Sequence, residues 1–350
     1  MKKIYFFAVL SLLLTFIRTP SNILNTIIYS IAIIPLAITL GELTSEISEY
    51  IGDKKGGLLA ASTGNLPELM MGIWSIQYGM IPMVKSALIG SIISNMLLVL
   101  GVSIFFGGIK YKDQRFNKLV ARTNFNMLLL AMSAIVLMAS LNRYAVLSNE
   151  VMISISLKVA LVLILIYILG LIFSLYTHGN LFVVSENDEE KNNGKKGKVT
   201  VIVVEIIFCS SLLCLLSERL ISNIKQIVST YRISQEFLGI ILIPILGNIG
   251  ENISAIICAL KNKVNLSLEI AIGSSIQIAL FVTPLLMVIS YFTLSPMNLI
   301  FTTFQIIIGL IAVGMSYFVF QDGKTYWLEG GILIAIYIII TLVYYYISIS

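Results

Sequence analysis

The sequence predicts an all-α integral membrane protein of about 11 transmembrane helices, one leading helix followed by two inverted five-helix repeats. Three observations predict it. The 350 residues are 58% hydrophobic and only 12% charged, about half the charge of a soluble domain. The apolar residues fall in runs of about 20, the length that crosses a bilayer as a helix. A polar motif is written twice inside those runs, as GNLPEL (Gly64 to Leu69) reaching GSIISN (Gly90 to Asn95), and as GNIGEN (Gly247 to Asn252) reaching GSSIQI (Gly273 to Ile278).

Hydropathy places spans at roughly 4–18, 23–48, 56–78, 82–108, 117–141, 149–176, 199–222, 235–261, 266–290, 295–320 and 326–347. The first starts with Lys2 and Lys3 like a signal peptide, but Thr15 to Thr19 offer no small-residue cleavage site, so an uncleaved helix over residues 1–22 is expected. Residues 23–176 form the first set of five and residues 199–350 the second. A set of five crosses an odd number of times, so the two sets must be inverted. Between them, residues 177–198 carry Glu186, Asp188, Glu189 and Glu190, then a Lys/Asn/Gly run. That composition reads as a flexible linker, or as an acidic cytoplasmic segment that attracts cations.

Basic residues set the orientation. With the N-terminus inside, the inner loops collect Lys54, Lys55, Lys110, Lys112, Arg115, Lys118, Lys191, Lys195, Lys196, Lys198, Lys261, Lys263 and Lys324, against Arg18, Arg143, Lys225 and Arg232 outside. The expectation is a cytoplasmic N-terminus and an outer C-terminus. Short loops and the lack of eukaryotic targeting signals point to a prokaryotic plasma membrane. The net charge of +5 is spread over these loops, which argues against a nucleic-acid partner and for the lipid bilayer. Cys209, Cys214 and Cys258 have no metal or redox spacing and read as packing residues. His178 is the single histidine. It leaves no His-based metal site or triad, so an enzyme is not expected.

One offset of 183 maps Gly64, Asn65, Glu68, Gly90 and Ser91 onto Gly247, Asn248, Glu251, Gly273 and Ser274. A carboxylate inside lipid is expensive and marks a functional site by default. Two at matching places suggest an ion site between repeats. Pro67, Pro244 and the nearby glycines interrupt the helical ladder and free carbonyls, which persist in a membrane only where protein or an ion satisfies them. Glu68, Glu251 and carbonyls near Gly64 and Gly247 offer oxygens for a hard cation such as Ca²⁺. Ser91, Ser94, Asn95, Ser274, Ser275 and Gln277 form a second polar set. They read either as supporting ligands or as helix-packing and interhelical hydrogen-bonding residues. Glu42, Glu46 and Glu218 are candidate proton or gating acids, or equally end residues that snorkel to the interface.

At these residues the sequence resembles the cation/proton exchanger (CAX) family of the calcium/cation antiporter superfamily. The resemblance runs through PLAITLGELTSEISEYIG (Pro35 to Gly52), GGLLAASTGNLPEL (Gly56 to Leu69), GSIISNMLLVLG (Gly90 to Gly101) and the stretch from Gly239 to Pro284. It implies eleven helices, an acidic cytoplasmic loop after the sixth, exchange of Ca²⁺ for H⁺, and key carboxylates at Glu68 and Glu251. It also implies sliding of the second and seventh helices. Pro67 and Asn252 depart from the family, where a small or hydroxyl residue and His are common, and Pro67 is shared with the sodium/calcium exchanger branch. A Na⁺/Ca²⁺ exchanger is therefore the alternative, and a channel lined by acidic rings a more distant one. No cofactor is expected, with Ca²⁺ the transported substrate, and a homo-oligomer is left open.

Overall fold

The apolar runs become helices in a computed structural model that describes residues 10–51, 59, 63–145, 147–178 and 196–349. The start of the first expected span, part of the approach to Gly64, and most of the acidic linker lie outside the described residues. Helix α1 covers 10–16. It is followed by α2 (Asn22–Ile51), α3 (Leu66–Gln77), α4 (Ile81–Tyr111), α5 (Lys118–Tyr144), α6 (Asn149–Thr177) and α7 (Lys196–Tyr231). Then come α8 (Gln235–Gly247), α9 (Ile249–Leu260), α10 (Val264–Tyr291), α11 (Thr303–Val319) and α12 (Trp327–Ile349). Seven of these are long and apolar enough to cross a membrane, and α8 with α9, bent by 61°, makes an eighth candidate.

Local chemistry sets the helix ends. The Asn117 side chain accepts from the Leu119 and Val120 amides at the start of α5, and Ser148 and Ser234 cap α6 and α8 in the same way. Thr302 and Gln305 form a reciprocal capping box that opens α11. That box corrects the expected start at 295, because residues 292–302, with Pro296, form no helix. Helix α7 runs nine residues past the expected end at 222. A two-stranded ribbon that hydropathy does not signal, β1 (Asp113–Arg115) with β2 (Lys324–Tyr326), ties the end of α4 to the start of α12.

The expected spans 56–78 and 235–261 are each interrupted. The ladder breaks at Asn65, with φ −95° and ψ 22°, and at Asn248, with φ −94° and ψ 7°. Pro67 sits in the first turn of α3, where its missing N–H costs nothing. The offset of 183 carries α3 onto α9 residue for residue and the start of α4 onto the start of α10. Both long helices also widen into a π-helical segment at matched places, Ser94–Val99 in α4 and Ile278–Val282 in α10. Such segments mark functional positions in helices. The Ser316 hydroxyl of α11 donates to the Met96 carbonyl in the first of them at 2.7 Å.

Burial sorts the helices into layers. In the apolar stretch of each helix, 83% of the residues are buried in α4 and 67% in α10, but 17% in α6, which faces outward. The interior divides into two apolar clusters. One joins α4, α5, α6, α10, α11 and α12. The other is built mainly from α2 and α7, with Tyr29, Ile33, Leu36 and Leu43 against Leu213, Leu216, Leu220 and Ile224.

A tight seam lies between α4 and α8. A Cβ on Gly90 would stand 2.5 Å from the Ile240 carbonyl oxygen and 2.8 Å from its Cα. That carbonyl lacks its helical donor because Pro244, four residues on, has no N–H. A Cβ on Gly239 would likewise strike the Met83 carbonyl. Both obstacles are backbone, so neither can swing away. Gly90→Val should cost about 1–3 kcal/mol or more, read as a lowered thermal midpoint in detergent. Gly314→Ala, where nothing lies within 4 Å, should leave the midpoint unchanged or raise it. Equal midpoints for the two variants would refute the seam.

Candidate ion site

Glu68 and Glu251 occupy the same place in equivalent helices. Each is the third residue of its helix, after Asn65 and Asn248 respectively. The N-terminal turn exposes unpaired amides and the positive end of the helix dipole, which favours an anionic side chain there. The breaks at Asn65 and Asn248 thus turn two spans into helices that begin inside the protein and point their positive ends at one place.

Glu68 is 5% exposed and Glu251 is half-buried. They lie close enough to repel each other electrostatically. Among the described residues, both oxygens of Glu68 and Oε2 of Glu251 are buried without a hydrogen-bond partner. Neither carboxylate is ion-paired, and the ion pair found among those residues is Arg115 with Asp113. Asn248 faces Glu68 without reaching hydrogen-bond geometry, and Ser274 faces Glu251. The Glu68 carboxyl group lies against Gly247, where any Cβ would collide with it. A residue of one half therefore makes room for the acid of the other.

The surrounding amides and hydroxyls pair across the halves. The Ser274 hydroxyl lies 3.1 Å from Asn65 Oδ1 and 3.2 Å from Asn248 Oδ1, and its single proton serves one of them at a time. Asn248 Nδ2 donates to the Ser91 hydroxyl at 3.2 Å. The offset of 183 exchanges Asn65 with Asn248 and Ser91 with Ser274, so Asn65–Ser274 and Asn248–Ser91 pair the same two positions across the halves, with donor and acceptor reversed. Asn95 Nδ2 donates to the Ser274 hydroxyl at 3.1 Å, and Asn65 Nδ2 to Gln277 Oε1 at 2.6 Å. Six polar residues thus converge beside the two acids.

The other expected residues lie elsewhere. Ser275 donates to the Ala271 carbonyl of its own helix, and Ser94 is buried beside Tyr337 of α12. Gly64 is the turn residue before Asn65. Glu42 is exposed and Glu46 half-buried near the end of α2. Glu218 accepts from the Tyr78 hydroxyl at 2.5 Å and lines a polar cavity of about 280 Å³ with Arg18, Asn25 and Arg219. Tyr78 is ten residues from Glu68, roughly 15 Å along a helix.

Two residues that hydropathy passes over line the space beside Glu68. Gly72 and Ser75 join Ser91, Val84 and Leu286 around a cavity of about 10 Å³, room for one water-sized particle. They stand four and seven residues after Glu68, so helical periodicity marks the same face.

Chemically, the arrangement offers two carboxylates, amide oxygens from Asn65, Asn248 and Gln277, and hydroxyls from Ser91 and Ser274. That all-oxygen set suits a hard cation and offers no soft donor.

A family model described as sodium/calcium exchanger protein matches two stretches of the chain, residues 21–176 and 201–346. The Ca²⁺/H⁺ antiporter of Aphanothece halophytica is 37% identical over 330 residues, covering 91% of this chain and 88% of the relative. The Ca²⁺/H⁺ antiporter ChaA of Bacillus subtilis (strain 168) is 34% identical over 350 residues, covering 98% and 99%. The solved structure described as native YfkE matches with a TM-score of 0.79 at 30% identity, covering 96% of this chain and 95% of its own. With the doubled carboxylate motif on paired, interrupted helices, these likenesses place the chain in the sodium/calcium exchanger protein family, in its cation/proton exchanger branch.

Proposed function

We propose that the chain is a secondary active transporter that exchanges Ca²⁺ for H⁺ by alternating access, with Glu68 and Glu251 binding Ca²⁺ or protons in turn. The observation that carries this reading is a pair of acids, one from each half, that repel each other and have no basic partner among the described residues. A structural acid in lipid finds a cation of the protein's own. Among the described residues these have none, so their charge is left for a mobile ion to balance. Relatives that match along most of the chain are named Ca²⁺/H⁺ antiporter, which favours protons over Na⁺ as the counter-ion.

The ligand set of this proposal is Glu68 and Glu251, supported by Asn65, Asn248, Ser91, Asn95, Ser274 and Gln277, with Gly64 and Gly247 shaping the turns. Two inverted five-helix repeats, residues 23–176 and 199–350, frame it, after a leading helix over 1–22 and around a linker over 177–198. Support comes from the residue-for-residue offset of α3 and α9, the paired π-helical segments, the exchanged Asn–Ser contacts and the two stretches matched by one family model. Counting α8 with α9 as one broken span and α3 with its approach as another gives eleven spans. The basic loops favour a cytoplasmic N-terminus in a prokaryotic plasma membrane.

Coupling follows from charge. Empty and deprotonated, the site holds two negative charges, each costing at least about 2.5–3.5 kcal/mol at mid-membrane. One Ca²⁺ neutralises both, and so do two protons. The empty site is therefore the state least able to cross between inward and outward forms; if only these two acids titrate, one Ca²⁺ exchanges for two H⁺, and a further titrating acid such as Glu218 changes that ratio. The apolar cluster built mainly from α2 and α7, which also packs on Met71, Met83, Ile243 and Leu246, supplies a surface along which those two helices can slide over the site.

Glu68→Gln and Glu251→Gln should each reduce ΔpH-driven Ca²⁺ uptake into proteoliposomes to background while keeping the wild-type thermal midpoint. Normal uptake in either variant defeats the assignment. In everted vesicles, a pH gradient should drive Ca²⁺ flux and a Na⁺ gradient should not. The reverse result makes the protein a Na⁺/Ca²⁺ exchanger, and flux without any counter-ion gradient makes it a channel. Gly247→Ala should displace the Glu68 carboxyl group and weaken Ca²⁺ uptake more than it lowers the thermal midpoint.

A further inference from the structure

The face that carries the ribbon holds a second built cavity, which the transport site does not use. Lys110, Lys112, Arg115, Lys118, Arg122, Lys261, Lys263 and Lys324 gather there, where α4 and α9 end and α5, α10 and α12 begin. Lys110 Nζ donates to the Leu260 carbonyl at 2.8 Å, and Gln114 Nε2 to the Ala259 carbonyl at 3.0 Å, which binds the ribbon to the end of α9. Between α5 and α11 the surface opens into a cavity of about 360 Å³, within the range of small-molecule sites.

Its walls have two characters. Phe125, Tyr317 and Phe320 form an aromatic floor, with Phe125 packed against both of the others at centroid distances of 5.7 and 5.6 Å. Lys118 and Arg122 stand on the rim one helical turn apart, thus on one side of α5. Among the described residues neither forms an ion pair or a hydrogen bond, and both are exposed. Gln321 adds an amide and Asp322 one negative charge, leaving the rim with a single net positive charge. Farther along the two helices, away from the basic face, Leu129 and Leu130 on α5 and Leu310 and Ile311 on α11 turn outward, as lipid-facing residues do.

We propose that this cavity binds an anionic phospholipid of the basic-side leaflet, with Lys118 and Arg122 holding its phosphodiester and the groove between α5 and α11 receiving its acyl chains. The charge matches, because one net positive charge meets the single negative charge of a phosphodiester. The order of surfaces matches too, since cations at the rim give way to apolar side chains toward the membrane interior. Basic pockets between spanning helices are established headgroup sites in membrane proteins. A soluble anion has no use for the apolar groove, and an apolar ligand has none for the two free cations.

The test uses the full chain purified in detergent, with phosphatidylglycerol, phosphatidylethanolamine, phosphatidylcholine and inorganic phosphate as probes. Native mass spectrometry counts bound lipid, and a thermal scan reads stabilisation. Phosphatidylglycerol should stay bound and raise the midpoint, while the other three do neither. The K118Q and R122Q pair should weaken phosphatidylglycerol binding by about tenfold or more. The charge-keeping K118R and R122K pair should retain it, as should K261Q with K263Q, which removes two charges from the same face outside the cavity. Equal binding by wild type and the K118Q/R122Q pair overturns the site. Stabilisation by inorganic phosphate alone reduces it to a free-anion site and overturns the lipid assignment, as does equal retention of phosphatidylethanolamine.

Discussion

Two carboxylates that repel each other in a pocket where no described residue supplies a cation are the constraint around which this molecule is arranged. Buried ions normally survive by pairing, because desolvation costs several kcal/mol per ion and a partner must return it. Here the surroundings of Glu68 and Glu251 contribute only partial charges: helix N-termini, amides and hydroxyls. Such groups orient a carboxylate without neutralising it. In the proposed exchange the pair is thereby left short of positive charge, and that shortage selects which states of the protein pass easily between inward and outward forms.

The broken helices answer this constraint. A continuous helix would present Glu68 or Glu251 from its side, with every nearby backbone dipole engaged along the ladder. Breaking the ladder at Asn65 and Asn248 turns an N-terminus toward each acid and frees two amide side chains to bridge the halves. The bridges are few, and they share a donor. Ser274 has one proton for Asn65 and Asn248, so the network holds two alternative arrangements. Neutral hydrogen bonds of this kind contribute about 1 kcal/mol each. That is enough to hold a geometry and too little to lock it against a change in site charge.

Much of this was legible before any coordinates. Spans with no tight constraint fell where hydropathy put them, because lipid demands satisfied backbone and apolar side chains over a fixed length. The doubled motif marked Asn65, Glu68, Asn248, Glu251, Ser91 and Ser274, since a polar residue in such text has few structural excuses. What escaped was settled by tertiary contact. The cross-wise pairing of Asn with Ser depends on how two helix pairs dock, which no single stretch encodes. The π-helical segments depend on Ser316 and other neighbours reaching freed carbonyls. Ser94 and Ser275 share the residue type and neighbourhood of the true bridges but face other directions on their helices, so spacing within the motif could not separate them. The ribbon joins three-residue strands whose pairing partner lies more than 200 residues away.

The two apolar clusters have a consequence for how charge becomes movement. Packed cores resist continuous deformation and shift between discrete arrangements. The main cluster runs through α4 and α10, which carry Ser91, Asn95, Ser274 and Gln277, so it holds the supporting oxygens in register. The second joins α2 to α7, which contribute no residue to the hydrogen-bonded network. Motion of that second body need not break the bridges that define the site. In the proposed exchange it has only to uncover one flank while covering the other, with the net charge left beneath it deciding whether it moves. A neutral site, loaded with one divalent cation or two protons, presents no exposed ion to lipid as the body passes, whereas a vacant one presents two. In the proposed exchange, setting the supporting oxygens in one core and most of the sliding surface in another lets the same two acids act as both binding site and lock.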